Sequence, residues 1–146
     1  MKIADVMSPT YARIAPGSSL RDAAREFSST MASDLMVVDA QGAFVGVLSE
    51  GDLIRAALPR YEEILRDGGS LSDALEVFID RGKALADKPI DPHVIKDALS
   101  VSPEDPLLKA ASTMSTKQIR RLPVVAKGQL VGTVSRADIC RAVLGA

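Results

Sequence analysis

Gly46-Val47-Leu48-Ser49-Glu50-Gly51-Asp52 recurs once in the chain, as Gly132-Thr133-Val134-Ser135-Arg136-Ala137-Asp138. In each copy a glycine follows a β-branched residue, two apolar or β-branched residues come next, and then a serine. Three positions later an aspartate opens a helix-like run, Leu53–Leu58 or Ile139–Leu144. A glycine inside a strand-like run lets another backbone, or a flat ring, approach closely. Each copy therefore reads as strand, turn, helix.

Working outward, the whole neighbourhood repeats. An offset of 87 aligns Ile14 with Val101, Pro16 with Pro103, Ala23-Ala24 with Ala110-Ala111 and Val37-Val38 with Val124-Val125. One deletion near Ala40 changes the offset to 86, which aligns Gly42 with Gly128, Ser49 with Ser135 and Asp52 with Asp138. Small, apolar and turn residues match and most charges do not, as two copies of one packing plan would. Each copy reads β-α-β-β-α. A short strand at Tyr11–Ile14 stops at Pro16-Gly17. A helix capped by Ser19 and Asp22 presents Leu20, Ala23, Phe27 and Met31 on one face. Leu35–Val38, a turn, and Phe44–Leu48 make a hairpin. In the second copy Asp105 is the expected N-cap and Pro106 the first helical residue. Leu122–Val125 and Leu130–Val134 make its hairpin, and Pro123 marks an edge or a strand start.

Between the copies, Tyr61–Arg66 reads as one helix. Ser70 caps another, with Leu71, Ala74, Leu75, Phe78, Gly82 and Leu85 at spacings of three and four. Such a face packs on the repeated units or on another subunit. The chain divides into a module over residues 1–58, a helical insertion over 59–93 and a second module over 94–146.

The chain's 146 residues, 47% apolar and 25% charged, suit a soluble globular protein. A net charge of −1 gives no footprint for nucleic acid or an anionic membrane. The start lacks a long apolar stretch, and no run nears the ~20 residues needed to span a bilayer, so a cytoplasmic location is expected. Charge is uneven: residues 98–146 carry seven basic and three acidic side chains, which would receive a phosphate better than the rest of the chain. Cys140 cannot form an internal disulfide and, aligned with Ile54, is expected to pack inside. The lone His93 has no cysteine partner, so no metal is expected.

These residues resemble the CBS domain, the module named after cystathionine β-synthase and usually found in pairs. The resemblance covers all but the insertion and rests on the paired Gly-apolar-apolar-Ser-x-x-Asp motif, the repeat, and Leu122-Pro123-Val124-Val125 as the family's Pro-Val strand. It implies an α/β (α+β) fold, with two β-α-β-β-α modules packed as a pseudo-twofold pair. It also implies an adenosine ligand (AMP, ADP or ATP, S-adenosylmethionine or NAD) in the clefts between modules, and a homodimer. The role it implies is regulatory, signalling to an effector protein, with no catalysis and no required cofactor.

The residues support such a site chemically. Asp52 and Asp138, in the first turn of a helix, sit where the dipole favours a carboxylate that can accept a ribose diol. Ser49 and Ser135 offer hydroxyls, and free amides at the helix starts would favour an anion. A lone Ser-x-x-Asp is more often a cap, but two in a matched repeat point to a ligand. Apolar strand residues such as Leu122 and Val124 would give adenine a wall, and Pro123 between them is a further ligand-binding candidate. Arg120 and Arg121 suit a phosphate, Arg120 being the better match by position. The first copy has Ser33-Asp34 there, so unequal sites are expected. Thr10 follows a stretch that often lines the family's cleft. No P-loop and no Ser–His or Cys–His pairing is present, which argues against an enzyme. The alternative is a ligand-free dimerisation or docking platform that uses the insertion.

Overall fold

The computed structural model describes residues 1–66 and 68–145. The first module contains β1 (Arg13–Ile14), α1 (Leu20–Thr30), β2 (Asp34–Val38), β3 (Phe44–Ser49) and α2 (Glu50–Ala57). The connecting segment holds α3 (Tyr61–Arg66) and α4 (Leu71–Leu85). The second module contains α5 (Leu107–Lys117), β4 (Arg121–Ala126), β5 (Gln129–Ser135) and α6 (Arg136–Leu144). The fold is the expected α+β pair.

In the first sheet β1 runs parallel to β2, and β2 antiparallel to β3. The second sheet is the β4–β5 hairpin, with Val101 alone taking the place of β1 beside Val124. Pro123 explains the difference. In the first module Met36 N–H donates to the Ala12 carbonyl at 2.9 Å. Its repeat counterpart is Pro123, which has no N–H to give. The proline costs the β4–β5 ladder nothing, because its nitrogen faces Val101; what it removes is the tie to the segment just before Val101.

The modules are laced together by crossing segments. Met1–Ser8 lies on the second module: Ile3 N–H donates to Asp105 O and Leu107 N–H to Met1 O, and Ser8 and Thr133 exchange two backbone bonds of 2.8 and 2.9 Å. The equivalent segment before the second module lies on the first: Ile90 N–H donates to Ser18 O, Leu20 N–H to Lys88 O, and Ile95 and Val47 exchange bonds of 2.8 and 3.1 Å. Ile3 and Ile90 are both 0% exposed. Ile3 belongs to the core of Val101, Leu107, Met114, Leu122 and Val134, and Ile90 to that of Leu20, Phe27, Leu35, Val37 and Leu48. A third cluster, Met36, Val38 and Leu130 with Phe44, Tyr11 and Val125, lies between the modules. There the hairpin ends also bond, Phe44 N–H to Gly128 O and Leu130 N–H to Gly42 O. The β4–β5 turn has positive φ at Lys127 and Gly128, as a tight two-residue hairpin requires.

Helix α4 follows its expected cap, with Ser70 Oγ accepting from Asp73 N–H. It packs on α2, and its Phe78, Gly82 and Leu85 share an apolar groove with Leu20, Leu53, Ile54 and Ala57. Its Leu71, Leu75 and Ile79 stay exposed.

Three expectations need correction. Asp105 does not cap α5: Leu107 N–H is already bonded to the crossing segment, and the Asp105 carboxylate takes Ser102 N–H and Lys109 Nζ instead. Those partners hold Asp105 below the ordinary aspartate range, the Ser102 amide foremost. Met31 is not on the inner face of α1: at φ 58° it ends the helix and turns outward, as does its counterpart Gln118 at φ 55°. Cys140 is exposed rather than buried, because α6 turns Ile139 and Ala142, one position before it and two after, to the core.

Candidate functional site

The first motif places its serine where the strand ends and the helix begins. Ser49 Oγ accepts from Asp52 N–H at 3.2 Å and donates to Asp52 Oδ2 at 2.8 Å. Ser135 and Asp138 repeat this at 3.1 and 2.8 Å, and Ser135 N–H also donates to Asp138 Oδ2. Each aspartate therefore completes a helix cap. An arginine three residues on holds the other carboxylate oxygen, Arg55 on Asp52 at 2.7 Å and Arg141 on Asp138 at 2.9 Å. Burial opposes the Asp52 charge, but the bonds from Ser49 and Arg55 outweigh it and hold the carboxyl below its ordinary value. The amides at these helix starts are mostly spent, which corrects the expectation of free donors. Glu50 N–H bonds Ser33 O and Arg136 N–H bonds Arg120 O. The amides of Gly51 and Ala137 are the first-turn donors left over.

The motif glycines hold the crossing segments close. A Cβ on Gly46 would overlap the Ile95 carbonyl oxygen and lie 2.7 Å from Val94 Cγ1; on Gly132 it would lie 2.7 Å from Ser8 O. Of the two visitors expected at these glycines, it is the backbone that comes.

Two clefts open between the modules, related by the pseudo-twofold. The first, about 620 Å³, is lined by Ser49, Glu50 and Gly51 at the start of α2, by Ile95–Leu99 without Lys96, and by Gln118–Pro123, with Ser33, Asp34, Val47 and Ile54. The second, about 470 Å³, is lined by Thr10–Ala12, Thr30–Asp34, Arg120 and Arg121. Both volumes fall in the roughly 300–1,000 Å³ range of small-molecule pockets. A larger hollow of about 820 Å³, bordered by Arg13, Asp22, Arg25 and Asp39, contains none of the motif residues.

The candidates separate accordingly. Ser49, Arg120, Arg121, Leu122 and Pro123 meet in the first cleft, and Thr10 lies in the second with the same two arginines. Its repeat counterpart Asp97 lines the first cleft. Asp52, Ser135 and Asp138 line neither, though Asp52 is bonded to Ser49 at the first cleft's rim. The first cleft is largely apolar through Val47, Ile54, Ile95, Leu99, Ile119 and Leu122, residues the motif reading passed over except for Leu122. The repeat carried a signal for Ile95, since an offset of 87 pairs it with Ser8, just upstream of Thr10.

Electrostatics divide the clefts further. Arg121 donates to the buried Thr133 Oγ1 at 2.7 Å, whereas Arg120 has no hydrogen bond from its guanidinium among the described residues. Asp34, shared by both clefts, is half-buried, and burial pushes its carboxyl above the ordinary value; Arg120 and Arg121 pull the other way, and Glu50 and Asp52 add to the rise. The first cleft thus has Asp34, Glu50 and Asp97 against two arginines, and the second has Asp34 alone against the same two.

A raised carboxyl means the folded state holds a proton that the unfolded chain releases. Stability from this group is therefore lost as pH rises from 3.8, the unperturbed value, through the raised folded value. Asp34→Asn should remove that loss. Urea midpoints of both proteins across roughly pH 4 to 8 should coincide at the acid end and separate in favour of the variant above it. Curves that stay parallel would show that Asp34 is not strained by burial.

Comparison with known proteins decides the family. The CBS domain profile matches twice, over residues 3–59 and 90–145. The chain belongs to the CBS domain family. The CBS-pair protein CBSX2 from Arabidopsis thaliana superposes with a TM-score of 0.77 at 26% identity, covering 99% of this chain and 94% of that one. A structure of CBSX2 in complex with AMP gives 0.74 at 26%, covering 99% and 96%. The CBS domain pair of MJ0100, in complex with 5′-methylthioadenosine and S-adenosyl-L-methionine, shares the fold with a TM-score of 0.65 at 21% identity, covering 99% and 97%. Among sequence relatives, an uncharacterised 17.7 kDa protein of Acidianus ambivalens is 24% identical over 98% of this CBS pair and 73% of its own length. The CBS pair spans only 14%, 24% and 41% of three longer relatives. Among the described residues no helix is long and apolar enough to cross a membrane.

Proposed function

We propose that this CBS pair is a regulatory module, not an enzyme, that binds an adenosine-containing ligand of the AMP, ADP or ATP class between its modules. The observation that carries the reading is the first cleft. It joins an apolar wall, the Ser49 hydroxyl and the Gly51 amide to the uncommitted guanidinium of Arg120. The kinship with CBSX2, solved with AMP, supports it. Adenine lies against Ile95, Leu99, Leu122 and Pro123, and the phosphate meets Arg120, with Arg121 behind it. The ribose meets Ser49 and, by displacing Arg55, Asp52. In the second cleft Thr10 and the same arginines serve; Ser135 and Asp138, the repeat counterparts of Ser49 and Asp52, lie outside its lining.

Signalling follows from the lacing. Arg120, Arg121, Ser33 and Asp34 line both clefts, so a ligand that draws on them favours one arrangement of the modules, which an effector protein reads by differential binding. Asp34, Glu50 and Asp97 weigh against heavily charged phosphates in the first cleft, which favours AMP over ATP there.

Calorimetric titration with adenosine, AMP, ADP and ATP tests this. AMP should bind, and Arg120→Ala should weaken AMP by about tenfold or more, the value of one charge-assisted contact, while leaving adenosine nearly unchanged. No binding of any of the four would overturn the reading. The exposed stripe on α4 would then favour the ligand-free docking role.

A further inference from the structure

We propose that the two clefts share one phosphate-receiving guanidinium, that of Arg120, so that a phosphate-bearing ligand in either cleft excludes a second from the other. The inference rests on the ligand reading above and adds its stoichiometry, one nucleotide per chain although two clefts are open. The pseudo-twofold would give each cleft its own set of groups, and the backbone keeps that symmetry. Glu50 N–H donates to Ser33 O at 3.1 Å, as Arg136 N–H does to Arg120 O at 3.0 Å. Asp34 lies opposite Ser49 in the first sheet, as Arg121 lies opposite Ser135 in the second. Ser33 and Asp34 thus occupy the positions of Arg120 and Arg121. The side chains break the symmetry: where the second module brings two guanidinium groups, the first brings a hydroxyl and a carboxyl. All four residues line both clefts, so they form the wall that the clefts have in common.

No lysine, histidine or further arginine lines either cleft among the described residues. Of the two arginines, Arg121 is held by the fully buried Thr133. That leaves the exposed Arg120 to serve whichever cleft holds a phosphate. A guanidinium grips one phosphate at a time through its planar fork. A second phosphate would then meet an arginine already neutralised, the Asp34 carboxyl and the charge of the first phosphate. The shared wall is tight enough for these charges to act on one another, since Asp34 feels Arg120, Arg121, Glu50 and Asp52 together. Like charges brought together partly out of water repel far more than exposed ones screened by salt.

Calorimetric titration of the full chain with AMP, at chain concentrations well above the dissociation constant, counts the sites. Wild type should take up one AMP per chain, with any second binding weaker by at least about tenfold. Ser33→Arg supplies the missing cation at the position equivalent to Arg120. Ser33 is half-buried and bonds through its backbone alone among the described residues, so the variant should keep the wild-type circular dichroism. It should bind two AMP per chain. Ser33→Lys, a cation without the planar fork, repeats the measurement should the arginine disturb the fold. Two AMP of like affinity on wild type, or a single AMP on the folded Ser33 variants, would overturn the proposal and leave the ligand reading in place. No AMP bound by wild type would overturn the ligand reading itself, and this inference with it.

Discussion

Gly46→Ala is expected to cost about 3–5 kcal/mol of stability. The new methyl would occupy the space of the Ile95 carbonyl oxygen. That atom is backbone, held by the Val47–Ile95 pair of bonds, and cannot swing aside as a side-chain tip would. Overpacking of this kind costs about 1–3 kcal/mol, and losing the two bonds adds about 1 kcal/mol each. Gly132→Ala, against Ser8, should be damaging for the same reason but less so, its nearest contact being longer. Gly82 is the control. A methyl there meets nothing within 4 Å, and the residue is inside α4, so Gly82→Ala should stabilise by about 0.5–1 kcal/mol. Urea unfolding of the three variants checks the order; equal costs at Gly46 and Gly82 would refute the close-approach account.

Ile3→Ala and Ile90→Ala should each cost about 2–5 kcal/mol, the range for emptying a fully buried isoleucine site. The location of the damage is the sharper test. Ile3 lies ahead of β1 at the start of the first module's sequence yet packs with Val101, Leu107 and Val134. Its truncation should speed hydrogen exchange in α5 and β5 more than in α1 and β2, and Ile90→Ala should do the reverse. Exchange that rises in the module next to each residue in sequence would contradict the crossing.

Much of this architecture is legible in the sequence because it rests on local rules. The repeated Gly-x-x-Ser-x-x-Asp announces strand end, cap and helix start, and Ser19, Ser49, Ser70 and Ser135 all cap helices as their spacing to Asp22, Asp52, Asp73 and Asp138 implies. What local rules do not carry is where a segment goes next. Lys88–Pro92 reads as a chain break because its prolines interrupt periodicity, yet Ile90 between them is a core residue of the first module. Ile3 and Ile90 are separated by the repeat offset of 87, so the crossing had a signal, but one short apolar residue beside a terminus or a proline carries no period. Met31 and Cys140 were misplaced by the same limit, since a helical wheel does not say where the helix ends or how wide its buried arc is. At the site, Arg120 and Ser49 were visible as chemistry. Ile95, Leu99 and Ile119 were not, because an apolar residue lining a cleft looks like one lining a core. The i+3 arginines on Asp52 and Asp138 carry a signal of their own, since Arg55 and Arg141 align in the repeat.

The central claim, that an adenosine ligand enters the cleft between Ser49 and Arg120, is tested most directly by following backbone amide resonances as AMP is added. The expected result is a saturable set of shifts at Ser49–Gly51, Ile95–Leu99 and Gln118–Leu122, with the exposed face of α6 unmoved and the Arg120 shifts lost when adenosine replaces AMP. Shifts confined to the hollow around Arg13 and Arg25, or none at saturating AMP, would contradict the account.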